Sequence, residues 1–316
     1  MWFDTFLMPR IPELFFTEGL SAVNRTISEK MNSPQVLKSF GWKMLQGMTG
    51  LPNLGVAIEE AERKIPDTGF GPTVRSLLES VNISVKIDNS EDRPEWTRQE
   101  GAGVLFYGNH QEIFEPLFLI SLMDRDDISF MCASFIPHFG DNLKEHALTV
   151  LARRFTSDYR YRMNFIEKFF LPDPGITSEE AIEHNEKSIR EAAIRLMNGN
   201  AVGVYPSASK NTINTRWFNG IGRILEQIPN EIQPGVLLVP VHTLPVPVFK
   251  ILRNIQKRYA GGKPPENIEV SLSLGEPVSI AALSIEGKSA EEITTLLQKR
   301  YVVEFCNKPD SNPGII

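Results

Sequence analysis

The pattern of apolar and polar positions divides the chain near residue 80. Before that point apolar residues recur at helical spacing and strand-like alternation is scarce. "SPQVLKSFGWKMLQGM" offers Ser33 as N-cap and Pro34 at the first helical position, and "GPTVRSLLESV" reads as another short helix. From residue 81 the period changes. "NISVKI" alternates as a strand, "SEDRPEWTRQEGAG" is a polar connection, and "VLFYG" is a buried strand. A helix over "PLFLISLM", a strand over "ISFMCAS" and a helix around "DNLKEHALTVLARRF" follow, then a long helix through "SEEAIEHNEKSIREAAIRLMNG" that ends at Gly199. The strand "AVGVY", the helix "NGIGRILEQI", the strands "VLLVPV" and "IEVSLSL" and a last helix from about Ser289 to Cys306 complete the chain. Strands alternating with helices predict an α/β fold, a mixed sheet covered by helices on both faces. The expected division is a helical N-terminal region over 1–80 and an α/β domain over 81–316 that carries the chemistry.

Composition narrows the classes. With 316 residues, 41% of them hydrophobic and 23% charged, the chain can bury a core without staples. A formal charge of −6 argues against nucleic acid as the main partner. Two cysteines, Cys132 and Cys306, form no disulfide framework and no metal-ligand spacing, so the default setting is reducing and cytoplasmic. "MWFDTFLMPRIPELFF" has Asp4 ahead of any basic residue and prolines at 9 and 12, unlike a signal peptide. The longest membrane-span candidate, "GVLLVPVHTLPVPVF", is short and broken by three prolines. The protein is expected to be soluble or to rest on a membrane surface. Its N-terminal region reads as a helical cap or oligomer contact, with a membrane-surface role for Trp2, Phe3, Phe6, Phe15 and Phe16 as the alternative.

The candidate chemistry sits in "YGNHQEIFEP", residues 107–116. His110 follows a predicted strand, and Pro116 suits the first turn of a helix. His110 and Glu115 thus flank a strand-to-helix loop, where side chains converge at a sheet edge. A general base needs an imidazole with one nitrogen held by an acceptor and the other turned to the substrate, and a carboxylate at the helix start can supply that acceptor. On its own the pair is equally a satisfied loop histidine with an acid nearby. His138 with Asp141 reads as a turn before a helix, His146 and His184 as exposed helix residues, and His242 as a strand-end residue near the same cleft. "GFG" at 69–71 and "GIG" at 220–222 lack a dinucleotide-binding context, and no residue set has zinc spacing.

Asn109-His110, four intervening residues, an acid and Pro116 together resemble the N-H-x-x-x-x-D signature of the glycerolipid acyltransferases. Three further blocks resemble that family in order: the basic "LARRFTSDYRYR", with Arg153, Arg154, Arg160 and Arg162 against Asp158; "VYPSASKN" where the family has F-P-E-G-T-R-S; and "FNGIGRIL" leading to "LLVPVH". The resemblance spans roughly residues 82–245. "NHQ" and "YPS" are similar to the soluble, plastid-type glycerol-3-phosphate acyltransferases, which makes a plastid stroma the alternative to a cytoplasm.

The resemblance implies direct acyl transfer without an added cofactor. His110 would take the proton of an acceptor hydroxyl and Glu115 would orient the imidazole. The donor would be acyl-CoA or acyl carrier protein and the acceptor a glycerol-phosphate-type molecule, in an early step of phospholipid synthesis. Asn109, Ser207, Arg153, Arg154 and Lys210 would bind substrate, the cations holding its phosphate. Arg153, Arg154, Arg160 and Arg162 also read as a solvated helix face. Departures from the family are Glu115, one methylene and about 1.5 Å longer than aspartate, and Ser207-Ala208 in place of Glu-Gly. They leave two alternatives: a non-catalytic lipid or acyl-carrier binding protein on the same fold, and a thioester hydrolase in which His110 activates water.

Overall fold

The computed structural model describes residues 10–31, 51–88, 97, 101–110, 113–152, 156–158, 175–207 and 217–306. Eight strands among them form one sheet: β1 (Ile83–Ile87), β2 (Gly103–Tyr107), β3 (Ile128–Ala133), β4 (Ala147–Val150), β5 (Ala201–Val204), β6 (Val236–Thr243), β7 (Ile268–Leu274) and β8 (Val278–Ser279). Their order is β1-β7-β6-β2-β5-β3-β4, with β8 beside β6. From β6 to β4 all neighbours are parallel. The later half of β6 pairs antiparallel with β7, its first half with β8, and β7 runs parallel to β1. The sheet is therefore mixed, with a parallel centre around β2.

Side-chain alternation along β2 sends successive residues to opposite faces, and all five are buried because both faces are covered. Val104 and Phe106 join a core with α2 (Leu51–Thr68), α3 (Phe70–Ser80), α4 (Glu115–Ser121) and α8 (Val248–Tyr259). Leu105 and Tyr107 join the opposite core with α6 (Ser178–Met197), α7 (Gly220–Glu226) and α9 (Ala290–Lys299). Helix α1 (Arg10–Met31) is broken at Gly19, where φ is 80°. Its Phe15 packs against His138 and Phe139 rather than forming a free apolar face.

Local chemistry explains the helix boundaries. Thr177 and Glu180 form a capping box at the start of α6, and Ser289 and Glu292 do the same for α9. Asp158 adds its carboxylate to the α6 start, accepting from the Ser178 amide and hydroxyl. After α6 the chain turns at Gly199, whose φ of 84° suits glycine. The buried Arg125 bonds the carbonyls of Gly199 and Ala102 and pairs with Asp127, fixing the entry to β2 and β5.

Two expectations need correction. The helix expected around "DNLKEHALTVLARRF" is a short helix, α5 (Asp141–Glu145), followed by strand β4 on the sheet edge. His146 makes the transition: its carbonyl accepts from the Phe130 amide and its ring bonds the Ile128 carbonyl while stacking on Phe70. It is half-buried, as is His184, which bonds Thr149 from α6. The second is an omission, since residues 248–259 form α8, an amphipathic helix that covers the sheet beside α2. The helix expected over 33–48 lies outside the described residues, as do Trp2, Phe3 and Phe6.

Candidate active site

Strands β2 and β5 are parallel neighbours with Tyr107 opposite Val204, so the residues after each leave the same sheet edge together. This is the carboxyl edge, where open α/β sheets place their ligands. Gly108 follows β2 where a side chain has no room: a Cβ there would sit 2.1 Å from the Val241 carbonyl oxygen of β6. After the turn the amide of His110 donates to Oγ of Ser207, 2.7 Å away across the two loops. The contact spans 97 residues of sequence and locks the loop after β2 to the loop after β5.

Helix α4 then begins at Glu115 with Phe114 at the cap position and Pro116 in the first turn. Glu115 is therefore the first helical residue rather than the cap, and its carboxylate turns back along the loop. Oε2 accepts from Nδ1 of His110 at 3.0 Å. The carboxylate side chain is 1% exposed and the imidazole 25% exposed. A carboxylate this buried must be paired to persist, and the imidazole is its partner.

The His110 ring lies 5.4 Å from the ring of Tyr205, the residue just after β5. The Tyr205 hydroxyl is buried and has no hydrogen-bond partner among the described residues. Burial, with the Glu115 charge added, holds its pKa well above the ordinary phenol value.

A second network holds the turn from behind. Nε1 of Trp217 donates to Oδ1 of the buried Asn109 at 2.6 Å. On the same side the Tyr301 hydroxyl lies 3.0 Å from Nδ1 of His242. Tyr107, Trp217 and Tyr301 pack as an aromatic group, with ring centroids 6.0 Å apart for Tyr107–Trp217, 5.4 Å for Trp217–Tyr301 and 6.4 Å for Tyr107–Tyr301. Tyr301 is brought in by a π-type turn, Arg300–Phe305, that extends α9.

The structure thus brings His110, Glu115, Asn109 and Ser207 together at one sheet edge. Asn109 and Ser207 are enclosed and engaged with the loop itself, which suits positioning better than direct contact with a substrate. Arg153, Arg154, Arg160, Arg162 and Lys210 lie outside the described residues. His242 joins the network through Tyr301, whereas His138 lies against Phe15. Trp217, Tyr205 and Tyr301 were not singled out from the sequence. Trp217 and Tyr205 sit inside or beside recognisable blocks, but nothing local announces a partner such as Asn109, 108 residues away.

Among the described residues no group of three or more His, Cys, Asp or Glu side chains is placed to hold a metal ion. Nor is any described helix long and apolar enough to cross a membrane. No protein-family model matches the chain, and no curated protein matches it. Among solved structures it is similar to the 1-acyl-sn-glycerophosphate (LPA) acyltransferase, PlsC, from Thermotoga maritima, with 16% identity and a TM-score of 0.37, over 80% of this chain and 82% of that one. A likeness that distant says nothing about the chemistry of this chain.

Proposed function

We propose that the protein is an O-acyltransferase that moves a fatty acyl group from a thioester, acyl-CoA or acyl carrier protein, to a hydroxyl of a glycerol-phosphate-type acceptor in phospholipid synthesis. The observation that carries this reading is a partly exposed imidazole whose Nδ1 is held 3.0 Å from a buried carboxylate. With Nδ1–H donated to Glu115, Nε2 is left as the proton acceptor. The order of blocks from Asn109-His110 to "LLVPVH", which resembles the glycerolipid acyltransferases, supplies the substrate class.

In this mechanism Nε2 of His110 removes the acceptor hydroxyl proton as the oxygen attacks the thioester carbonyl. Glu115 stabilises the imidazolium that forms. The tetrahedral intermediate collapses to the ester, and the departing thiolate takes the proton back from His110. Ser207 and Asn109 set the position of the imidazole through the loop, and Arg153, Arg154 and Lys210 are assigned to the acceptor phosphate. The chemistry needs no enzyme nucleophile. Burial pushes the Cys132 thiol up to about 12, which makes it a poor one at neutral pH.

Incubating the protein with acyl-CoA or acyl carrier protein thioesters tests the assignment, with glycerol-3-phosphate, lysophosphatidate or neither as acceptor. Thiol release that depends on an acceptor, with a matching acylated product, is expected. Release at the same rate without acceptor would identify a hydrolase instead. Thioester binding without turnover would identify a binding protein.

A further inference from the structure

One histidine at this sheet edge, His242, takes no part in the transfer steps. Where β2 and β6 run parallel, Tyr107 stands opposite Pro240. The closeness of Gly108 to the Val241 carbonyl carries the same register one residue further. His242 therefore leaves β6 level with Asn109, the residue before His110. Its ring is half-buried, and Nδ1 lies 3.0 Å from the Tyr301 hydroxyl, 59 residues away in sequence. Burial holds that hydroxyl far above the ordinary phenol pKa, so it stays protonated.

Tyr301 belongs to the turn Arg300–Phe305, closed by the Cys306 amide donating to the Tyr301 carbonyl at 2.9 Å. Single wide turns of this kind are frequent at functional sites. This one seats two aromatic rings where strand-end glycines leave room. A Cβ at Gly108 would lie 3.4 Å from Cε2 of Tyr301, and one at Gly275 would lie 3.0 Å from Cδ2 of Phe305. The Tyr301 ring thus covers Gly108 and also packs on Trp217, the indole that donates to Asn109. A phenylalanine would fill the same space. Filling space gives no reason for a buried hydroxyl turned to a histidine of the sheet edge. Residue 301 also lies beyond the blocks over 82–245 that resemble the acyltransferases, so that resemblance assigns it nothing.

We propose that Tyr301, anchored by His242, is a positioning residue for His110. Glu115 holds one ring nitrogen of His110, and Ser207 holds its amide. Tyr301 and Trp217 hold the two residues before it, Gly108 and Asn109, and so set the direction in which the imidazole leaves the strand. The inference rests on His110 being the base of the transfer. A misplacement of about 1 Å costs a reaction roughly 10²-fold. Freeing the ring from His242 shifts the turn by a fraction of that, and the expected loss is about tenfold.

Tyr301→Phe keeps the ring and removes the hydroxyl. In the full chain, with folding checked by thermal melts, it should lower kcat about tenfold at unchanged KM. His242→Leu should lower kcat equally. His242→Asn, whose side-chain amide can occupy the place of Nδ1, should recover most of the rate. Tyr301→Phe with His242→Leu should be no slower than either variant alone, because both break one contact. The ring-nitrogen NMR shifts of His110, assigned with His110→Ala, should change in Tyr301→Phe. Those shifts can be read whether or not the protein transfers acyl groups. A wild type without transfer would sink the proposed function and leave the positioning role to be decided by the shifts. The proposal is overturned if His110 keeps its wild-type shifts in folded Tyr301→Phe, or if kcat stays within about twofold of wild type. It is equally overturned if the losses multiply in the double variant, which would mean that His242 acts on the substrate independently of Tyr301.

Discussion

Replacing Tyr205 by phenylalanine removes one oxygen from the wall of the candidate site. That oxygen is fully buried and has no hydrogen-bond partner among the described residues. A buried hydroxyl left unbonded costs about 1–3 kcal/mol. The small void left by its removal returns a few tenths of a kcal/mol, at about 24 cal/mol per Å³. Tyr205→Phe should therefore stabilise the protein by roughly 1–2 kcal/mol. Unfolding entropy of about 2.1 cal/mol/K per residue makes that a rise of about 2 °C in Tm for a chain of this length. Urea denaturation followed by far-UV circular dichroism should show the same gain as a higher midpoint at unchanged slope. The ring that lies beside His110 is retained, so the histidine's surroundings stay filled. Tyr205→Ala, which removes the ring, should instead lose about 3–5 kcal/mol. A loss of 1 kcal/mol or more in Tyr205→Phe would refute the reasoning, because the hydroxyl would then have to be bonded in the native state.

Gly108→Ala would put a Cβ 2.1 Å from a backbone oxygen of β6, forcing β2 and β6 apart, while Gly235→Ala meets open space. The first should lose about 3 kcal/mol in a urea titration and the second little. Trp217→Phe takes the indole donor from the buried Asn109 and should cost about 1–3 kcal/mol in the same titration. An unchanged midpoint would mean that this bond does not hold the turn. Burial lowers the pKa of His146 from its ordinary 6.5, so the unfolded chain binds more protons than the folded one below that value. Stability should be lost as pH falls through 6.5 and below, and His146→Gln should flatten that slope. His138 is lowered in the same direction, so some slope should persist.

Much of this arrangement was legible in the sequence because it is local. The apolar run of β2, the helical spacing of α6 and α9 and the spacing from His110 to Glu115 are each written within a few turns of chain. β4 was hidden because "ALTV" becomes a strand by pairing with β3, and that pairing has no signal in its own segment. The prolines at 245 and 247 obscured α8, although its apolar and polar residues have helical spacing. The supports of the site were hidden for the same reason as β4. Trp217 reaches Asn109 and Ser207 reaches His110 only because β2 and β5 are neighbours in the folded sheet.

The central claim is that His110 serves as the base of an acyl transfer. The most direct measurement compares initial rates of acyl transfer for wild type and His110→Ala, with the donor and acceptor that the wild type uses and with thermal melts recorded for both. A folded His110→Ala protein with its rate reduced by about 10²–10⁴-fold is the predicted result. Transfer retained within about twofold by that folded variant would contradict the account and place the chemistry elsewhere in the chain.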